Sequence, residues 1–209
     1  MLSILALAAI GGGAFVLLRG GGEGGGGGEE RPPADLAWEV GFTKVVAVDE
    51  KPPQGRVDSA TEEISALMDE LYTTAFVDPA RWGGGSFPTL ADFFADEAAD
   101  HARDHLDDLS LGSLAKRVAR VDPGKNRLFV SLLVDEDGAI TFADVDATFR
   151  ADARTKDGEP FKIFQKGRFF LESQDDGPWE IIGFRVAGEM SRDAGESEPH
   201  PGPSAGATP

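Results

Sequence analysis

The chain of 209 residues contains no cysteine. This absence excludes disulfide bonds, metal sites built on thiolates, cysteine nucleophiles and the attachment of a lipid to a cysteine. It does not assign a cellular compartment, because a domain without disulfides can exist on either side of a membrane.

Positive charge is also scarce in this chain. Lysine and arginine together number 20 against 37 aspartates and glutamates, which gives a formal net charge of -17. Non-specific binding to nucleic acid depends on clustered cations that neutralise phosphates. We therefore predict that nucleic acid is not a partner.

Histidine and tyrosine are scarce, with three histidines and one tyrosine. Gly-x-Ser-x-Gly occurs only at residues 202–206, in the unpatterned tail and not at a strand-to-helix elbow, so the sequence gives no support for a Ser-His-Asp triad. The glycines within residues 20–28 follow no strand and precede no Gly-Lys-Ser/Thr, which opposes a phosphate-binding loop. We predict that the chain binds no cofactor.

Residues 2–18 are uncharged and mostly apolar, and at about 1.5 Å of helical rise per residue they just cross a thin hydrocarbon core. We predict a membrane anchor at residues 1–19, with a cleaved signal peptide as the alternative, which the missing basic start opposes. Arg19 favours a cytoplasmic position for the end that follows. The layout of anchor, spacer and folded module is nevertheless typical of tethered envelope proteins, so we expect a single-pass protein with an extracytoplasmic domain.

The rest of the chain divides by composition into four segments. Residues 20–34 form a glycine-rich linker that cannot bury apolar surface. Residues 35–58 are an extended lead-in, in which weak alternation over residues 38–48 predicts an edge strand or a strap. The folded domain covers residues 59–187, and residues 188–209 lack apolar periodicity, which predicts a disordered tail.

Two amphipathic helices open the predicted domain. Ser59 with Glu62 forms a capping-box pattern at the start of the first helix, which extends to Phe76. Thr89 is the predicted cap of the second helix, and Gly112 ends it. The residues expected to face inwards are Ile64, Leu67, Met68, Leu71 and Ala75 on the first helix, and Leu90, Phe93, Phe94, Ala98, Leu106 and Leu109 on the second.

The segment from 126 to 186 alternates apolar and polar residues between three Asp-Gly turns, at residues 135–138, 157–158 and 175–177. This pattern predicts an antiparallel meander, preceded by a first strand at residues 114–121. The alternation slips by one position after Phe142, which predicts a β-bulge near Ala143 and Asp144. Core positions in this sheet include Phe149, Phe169 and Trp179.

The order of these elements resembles the NTF2-like superfamily of α+β cone domains. The resemblance rests on two helices followed by a long bulged meander, on Phe-Phe-Leu-Glu at residues 169–172, and on Asp-Asp-Gly-Pro-Trp-Glu-Ile-Ile-Gly-Phe at residues 175–184. It covers residues 59–187, without an evident third helix, and is similar to membrane-anchored, extracytoplasmic members of actinobacterial type. It implies a curved antiparallel sheet that the N-terminal helices pack against, with a cavity inside the cone.

Two groups of residues are candidates for chemistry. His101 and His105 lie four positions apart, so on a helix they could share a metal ion, whereas the surrounding aspartates favour a solvated face. Asp144 and Asp146 lie beside the predicted bulge, and superfamily members with acid-base activity use carboxylates in the cavity, sometimes with a tyrosine, here Tyr72. The alternative is that both aspartates point outwards and that Tyr72 borders the core.

The predicted cavity lining is apolar, and basic residues concentrate in the sheet segment, interleaved with aromatic ones. The sheet face is therefore the expected docking side for a protein partner or a second copy. We predict a membrane-tethered, non-catalytic binding or scaffold module, with a small cavity hydrolase or isomerase as the alternative. The expected lining residues are Leu67, Leu71, Phe93, Phe94, Phe149 and Phe169.

Overall fold

The computed structural model of the chain describes residues 36–47, 51–173 and 177–192, which form an α+β fold with a mixed sheet. The predicted anchor, its orientation, the whole glycine-rich linker and residues 193–209 lie outside the described residues. Within the described part, no helix combines the length and the apolar character that a membrane span requires. The strands are β1 (Trp38–Ala47), β2 (Val118–Pro123), β3 (Asn126–Val134), β4 (Ile140–Thr155), β5 (Pro160–Ser173) and β6 (Trp179–Arg192). The helices are α1 (Gln54–Tyr72), α2 (Asp96–Asp104) and α3 (Leu106–Leu109).

The strand order is β1-β3-β4-β5-β6, and β2 pairs with β4 beside β3. The 16-residue strand β4 is long enough to pair with β3 over its first half and with β2 over its end. The meander from β3 to β6 is antiparallel, as the turn signals predict. The prediction of a purely antiparallel sheet is wrong, however. Strand β1, from the lead-in, pairs with β3 in parallel at the edge that the meander leaves open.

The register slip in β4 lies earlier than predicted. The ladder between β3 and β4 shifts between Leu133 and Val134, where Thr141 is the extra residue on β4, and no shift occurs at Ala143 or Asp144. The side chain of Phe142 consequently faces the solvent side of the sheet, where it stacks on Phe170, while Ala143 turns inwards and is fully buried.

Helix α1 begins at Gln54, directly after Pro53, and not at Ser59. Pro53 is the N-cap residue, and its carbonyl accepts hydrogen bonds from the backbone N–H groups of Arg56 and Val57. Ser59 lies inside the helix and its hydroxyl donates to the Glu63 carboxylate instead of capping. The predicted inward stripe is otherwise confirmed at Ile64, Met68 and Leu71, which are buried against the sheet. A π-helical turn at Thr73–Val77 follows.

The predicted second helix is broken into three pieces. A 3₁₀ turn at Leu90–Phe93 ends where Phe94 becomes extended and bridges to Ile181 of β6. The backbone N–H of Ala95 then donates to the Ile181 carbonyl at 3.0 Å, so a long-range hydrogen bond replaces a helical one. Helix α2 starts only at Asp96, and a second break separates it from α3.

Two further boundaries differ from the sequence prediction. Residues Gly112–Lys116 form a 3₁₀ turn, so the strand predicted from Leu114 begins at Val118. Strand β6 continues to Arg192, so residues 188–192 are not disordered as predicted. They pair with Phe161 to Gln165 of β5, and this backbone pairing needs no apolar periodicity.

Candidate binding surface and interior

The interior beside α1 is filled by aromatic rings. Tyr72 is central: its ring centroid lies 5.0 Å from that of Trp38, 5.3 Å from that of Phe149 and 5.7 Å from that of Phe76. Phe169 contacts Tyr72 edge-on at 6.2 Å. Such pairs add to the stability gained by burying the rings themselves. Trp179 is also buried, which confirms the core positions predicted in the sheet.

The residues expected to line a cavity are part of this packed interior or border it. Leu71, Phe149 and Phe169 are buried in the core, while Leu67 and Phe93 are partly buried against it. Phe94 is buried as well, at the break between the helical pieces, and packs edge-on against Phe184 at 5.2 Å. These side chains contribute to packing in the structure.

Gly167 allows the close approach of two of these rings to β5. A Cβ atom placed on Gly167 would lie 2.4 Å from the ring of Phe169 and 3.0 Å from the Tyr72 hydroxyl. A side chain at this position would therefore force the aromatic rings to move.

The Tyr72 hydroxyl is fully buried and has no hydrogen-bond partner among the described residues. The indole Nε1 of Trp38 is likewise buried without a partner in that part of the chain. Burial raises the pKa of Tyr72 well above its ordinary value, because the phenolate would lose its hydration. Tyr72 is consequently a neutral O–H donor that lies inside the fold and not at its rim.

Asp144 and Asp146 lie on the outer face of the sheet, the face opposite the helices. Asp144 accepts hydrogen bonds from Arg168 through both guanidinium Nε, at 2.8 Å, and Nη2. This pairing with Asp144 raises the pKa of Arg168. Asp146 is exposed between the buried residues Val145 and Ala147. Neither carboxylate reaches the Tyr72 hydroxyl in the interior, so the structure does not bring the three candidates together.

His101 and His105 are neighbours, but they do not share a continuous helix, because α2 ends at Asp104. Their ring centroids are 4.3 Å apart, His101 also contacts the Phe184 ring at 4.9 Å, and the Nδ1 atom of His105 lies 3.1 Å from the Asp108 carboxylate. Across residues 36–47, 51–173 and 177–192, no group of three or more potential ligands of the His, Cys, Asp or Glu type is arranged to hold a metal ion.

Cations and aromatic rings alternate over the outer face of β4 and β5. The guanidinium of Arg150 lies 5.3 Å from the ring centroid of Phe164, and the ammonium of Lys166 lies 5.7 Å from the same centroid. Arg168 is placed over Phe170 at 5.6 Å in the same way. Each contact is worth about 0.5–1 kcal/mol at an exposed site, so these contacts order the cations more than they stabilise the fold.

Apolar side chains are exposed in the middle and at the other end of the same face. Val46 and Phe129 are each 44% accessible and Leu133 is 39% accessible. The pairing register places Val46, Leu133 and Phe142 side by side across three strands, and Phe142 stacks on Phe170 of the next strand. The sequence indicated the basic and aromatic alternation, whereas this apolar row depends on the parallel pairing of β1, which the sequence did not reveal.

The chain was compared with protein families, curated proteins and solved structures. No family model matches the chain, and no curated protein matches it. A crystal structure of a hexachlorocyclohexane dehydrochlorinase (LinA) type 2 is similar over 72% of this chain and 99% of its own, with 14% sequence identity and a TM-score of 0.44.

Proposed function

We propose that this chain is a non-catalytic binding module of NTF2-like type, tethered to a membrane through residues 2–18, and that it binds through the outer face of its sheet. The observation that carries the proposal is the apolar row on that face, in which the exposed Val46 and Leu133 lie beside the half-buried Phe142, together with the exposed Phe129 four residues before Leu133 on β3. Contiguous apolar side chains that remain exposed on a folded domain are typical of protein-binding surfaces.

The partner that this face fits best is a second copy of the same chain. An interface between identical copies related by a two-fold axis must be self-complementary, because each patch meets its own counterpart. The face satisfies this condition in charge. Glu172 and Glu180 lie at the end with the apolar row, Arg150 and Lys166 lie towards the opposite end, and Arg185 pairs with Arg168 in the middle.

The register shows how two such faces would match. Phe129 and Arg168 both pair with Asp146 and mark the middle of the face. A two-fold axis along this cross-strand row would place the Glu172 end of one copy over the Lys166 end of the other. Phe129, which lies at the axis, would then meet its counterpart between the sheets. The apolar row of Val46, Leu133 and Phe142 in each copy would lie over the end of the other copy that carries Phe164, and the charges would form the polar rim of the interface.

Analytical ultracentrifugation of a chain that starts at Pro33 tests this proposal directly. We expect a dimer at about 0.15 M salt, where repulsion between exposed charges of the two acidic chains is largely screened beyond about 8 Å. Phe129→Glu should shift the species to monomer, because it places a carboxylate in the apolar part of the interface. Met190→Glu is the matched control, since Met190 is also exposed but pairs with Ile163, whose side chain faces the interior.

A wild-type monomer throughout the concentration series would refute self-association. If that monomer retains a different protein and Phe129→Glu releases it, the sheet face is instead a surface for another partner. The anchor is tested separately by fractionating cells that express the full-length chain. Recovery of unprocessed protein wholly in the soluble fraction would refute the tether and the expected extracytoplasmic location.

The alternative function, a small acid-base enzyme, is favoured by one observation. The buried Tyr72 hydroxyl and the Trp38 indole N–H are donors without described partners in the interior. A substrate carbonyl that reached them would accept both hydrogen bonds. Turnover of ester or ketosteroid substrates that is lost in Tyr72→Phe or Asp144→Asn would support this function over the non-catalytic one, and zinc-dependent turnover lost in His101→Ala with His105→Ala would indicate metal chemistry.

A further inference from the structure

A cavity of about 210 Å³ lies between the start of β2, the turn from β4 to β5 and the end of β6. Val118 and Phe161 are buried at its base, and Leu114 and Met190 complete an apolar wall. Its position is distinct from the outer-face surface, because Val118, Phe161 and Met190 belong to the inward-facing positions of their strands. The cavity is smaller than the roughly 300–1,000 Å³ of sites for drug-sized molecules, so it suits a small ligand.

Polar groups lie at the rim of this cavity. Arg117 is the cation, and its nearest acid is Glu159, at 3.6 Å between Nη2 and Oε2. That separation allows electrostatic attraction but exceeds the length of a hydrogen bond. Within the described residues the Arg117 guanidinium therefore donates no hydrogen bond, although it carries five N–H donors. Ser191 also borders the cavity.

A planar guanidinium beside an apolar wall matches one ligand chemistry closely. The fork of N–H groups binds a carboxylate through two parallel hydrogen bonds, and the wall offers an apolar surface for a hydrocarbon group next to that carboxylate. A phosphate dianion fits the site less well, because a single arginine already balanced in part by Glu159 leaves little positive charge for it. The small volume excludes long acyl chains.

We propose that this cavity binds a small amphipathic carboxylate, such as an aromatic or branched-chain acid, with its carboxyl group on Arg117 and its apolar part between Leu114, Phe161 and Met190. Binding requires the Glu159 carboxylate to move away from the Arg117 guanidinium. Glu159 thus competes with the ligand and keeps the affinity modest. The site is independent of self-association through the sheet face.

Titration of the full-length chain with benzoate, followed by amide chemical shifts in NMR spectra, tests the site. Benzyl alcohol is the matched neutral probe, which has the same ring without the charge. We expect saturable shifts at residues 114–118, 155–161 and 190–191, and binding of benzyl alcohol at least about tenfold weaker, as the loss of a charge-assisted hydrogen bond predicts. The two rim variants should move the affinity for benzoate in opposite directions.

Arg117→Met should weaken benzoate binding by about tenfold or more, and Glu159→Gln should strengthen it, because the competing carboxylate is removed. Both residues are exposed, so neither substitution should prevent folding, and a thermal melt verifies this. Arg103→Met, on the exposed face of α2, is the charge-matched control and should leave the affinity unchanged. The inference fails if Arg117→Met binds benzoate as the wild type does, or if the shifts map to another part of the chain.

Discussion

Replacing Tyr72 by phenylalanine tests whether the buried hydroxyl lacks a hydrogen-bond partner, because the substitution is then expected to raise stability. A buried hydroxyl without a hydrogen-bond partner costs about 1–3 kcal/mol of desolvation. The structure gives the Tyr72 hydroxyl no partner among the described residues, while the ring contacts Trp38, Phe76 and Phe149. Tyr72→Phe keeps the ring and removes the unpaired donor. We expect the free energy of unfolding to rise by about 1 kcal/mol, since part of the gain is offset by lost packing around the missing oxygen.

Urea unfolding followed by tryptophan fluorescence measures this change, because the chain contains three tryptophans. A rise in the midpoint with an unchanged slope would confirm the expected gain in stability. If the substitution instead lowers stability by about 0.5–1.5 kcal/mol, the hydroxyl has a hydrogen-bond partner in solution and the reasoning is refuted.

The same residue predicts a dependence of stability on pH. Burial raises the pKa of Tyr72 above its ordinary value, which is about 10 in an unfolded chain. Titration of Tyr72 therefore leaves the free energy of unfolding unchanged below about pH 10. Above that pH the free energy of unfolding falls by about 1.4 kcal/mol per pH unit, because the unfolded chain loses the phenol proton first. Tyr72 is the one tyrosine in the chain, so tyrosinate absorbance should appear together with unfolding. Absorbance that titrates near pH 10 in the folded protein would contradict the burial, and Tyr72→Phe should lack this part of the pH dependence.

Three core substitutions extend the test to the sheet. Gly167→Ala should lower the free energy of unfolding by about 1–3 kcal/mol, because its Cβ would lie 2.4 Å from the Phe169 ring; wild-type stability in a denaturant titration would mean that the rings move freely. Phe149→Ala and Trp179→Ala should each lower it by about 3–5 kcal/mol, since both side chains are buried. Effects below about 0.5 kcal/mol at both positions would be typical of surface residues and would contradict the fold.

Period-two alternation predicted the meander well because a buried face determines every second residue of a strand. Leu128, Val130 and Leu132 are all buried in β3, as their spacing indicates. Alternation says less about where strands at the edges pair. Strand β1 pairs with β3 from far away in sequence, and the end of β6 is held by backbone hydrogen bonds to β5. Neither needs an apolar pattern, so the parallel pairing and the ordered residues 188–192 left no signal that periodicity could detect.

The predicted boundaries of the second helix are wrong for a related reason. The pattern from Thr89 to Leu109 is amphipathic, and local propensity gives no cause to interrupt it. The interruption at Phe94 arises from its bridge to Ile181, a residue on the last strand. Phe94 also packs against Phe184 of that strand. A contact between segments so distant in sequence outweighs local preference here, because it buries apolar surface on both partners.

The candidate surfaces show the same division between local and distant information. Arg150 and Phe164 are paired positions on neighbouring strands, and one turn joins those strands, so the alternation of charge and aromatic residues was sufficient to predict the sheet face as a docking side. The cavity beside Arg117 combines Leu114, Phe161 and Met190 from three separate segments. From the sequence pattern, each of them is predicted to be an ordinary core or tail residue. Their convergence follows from the continuation of β6 past Gly188, and so the site could be identified only after the sheet had been assembled.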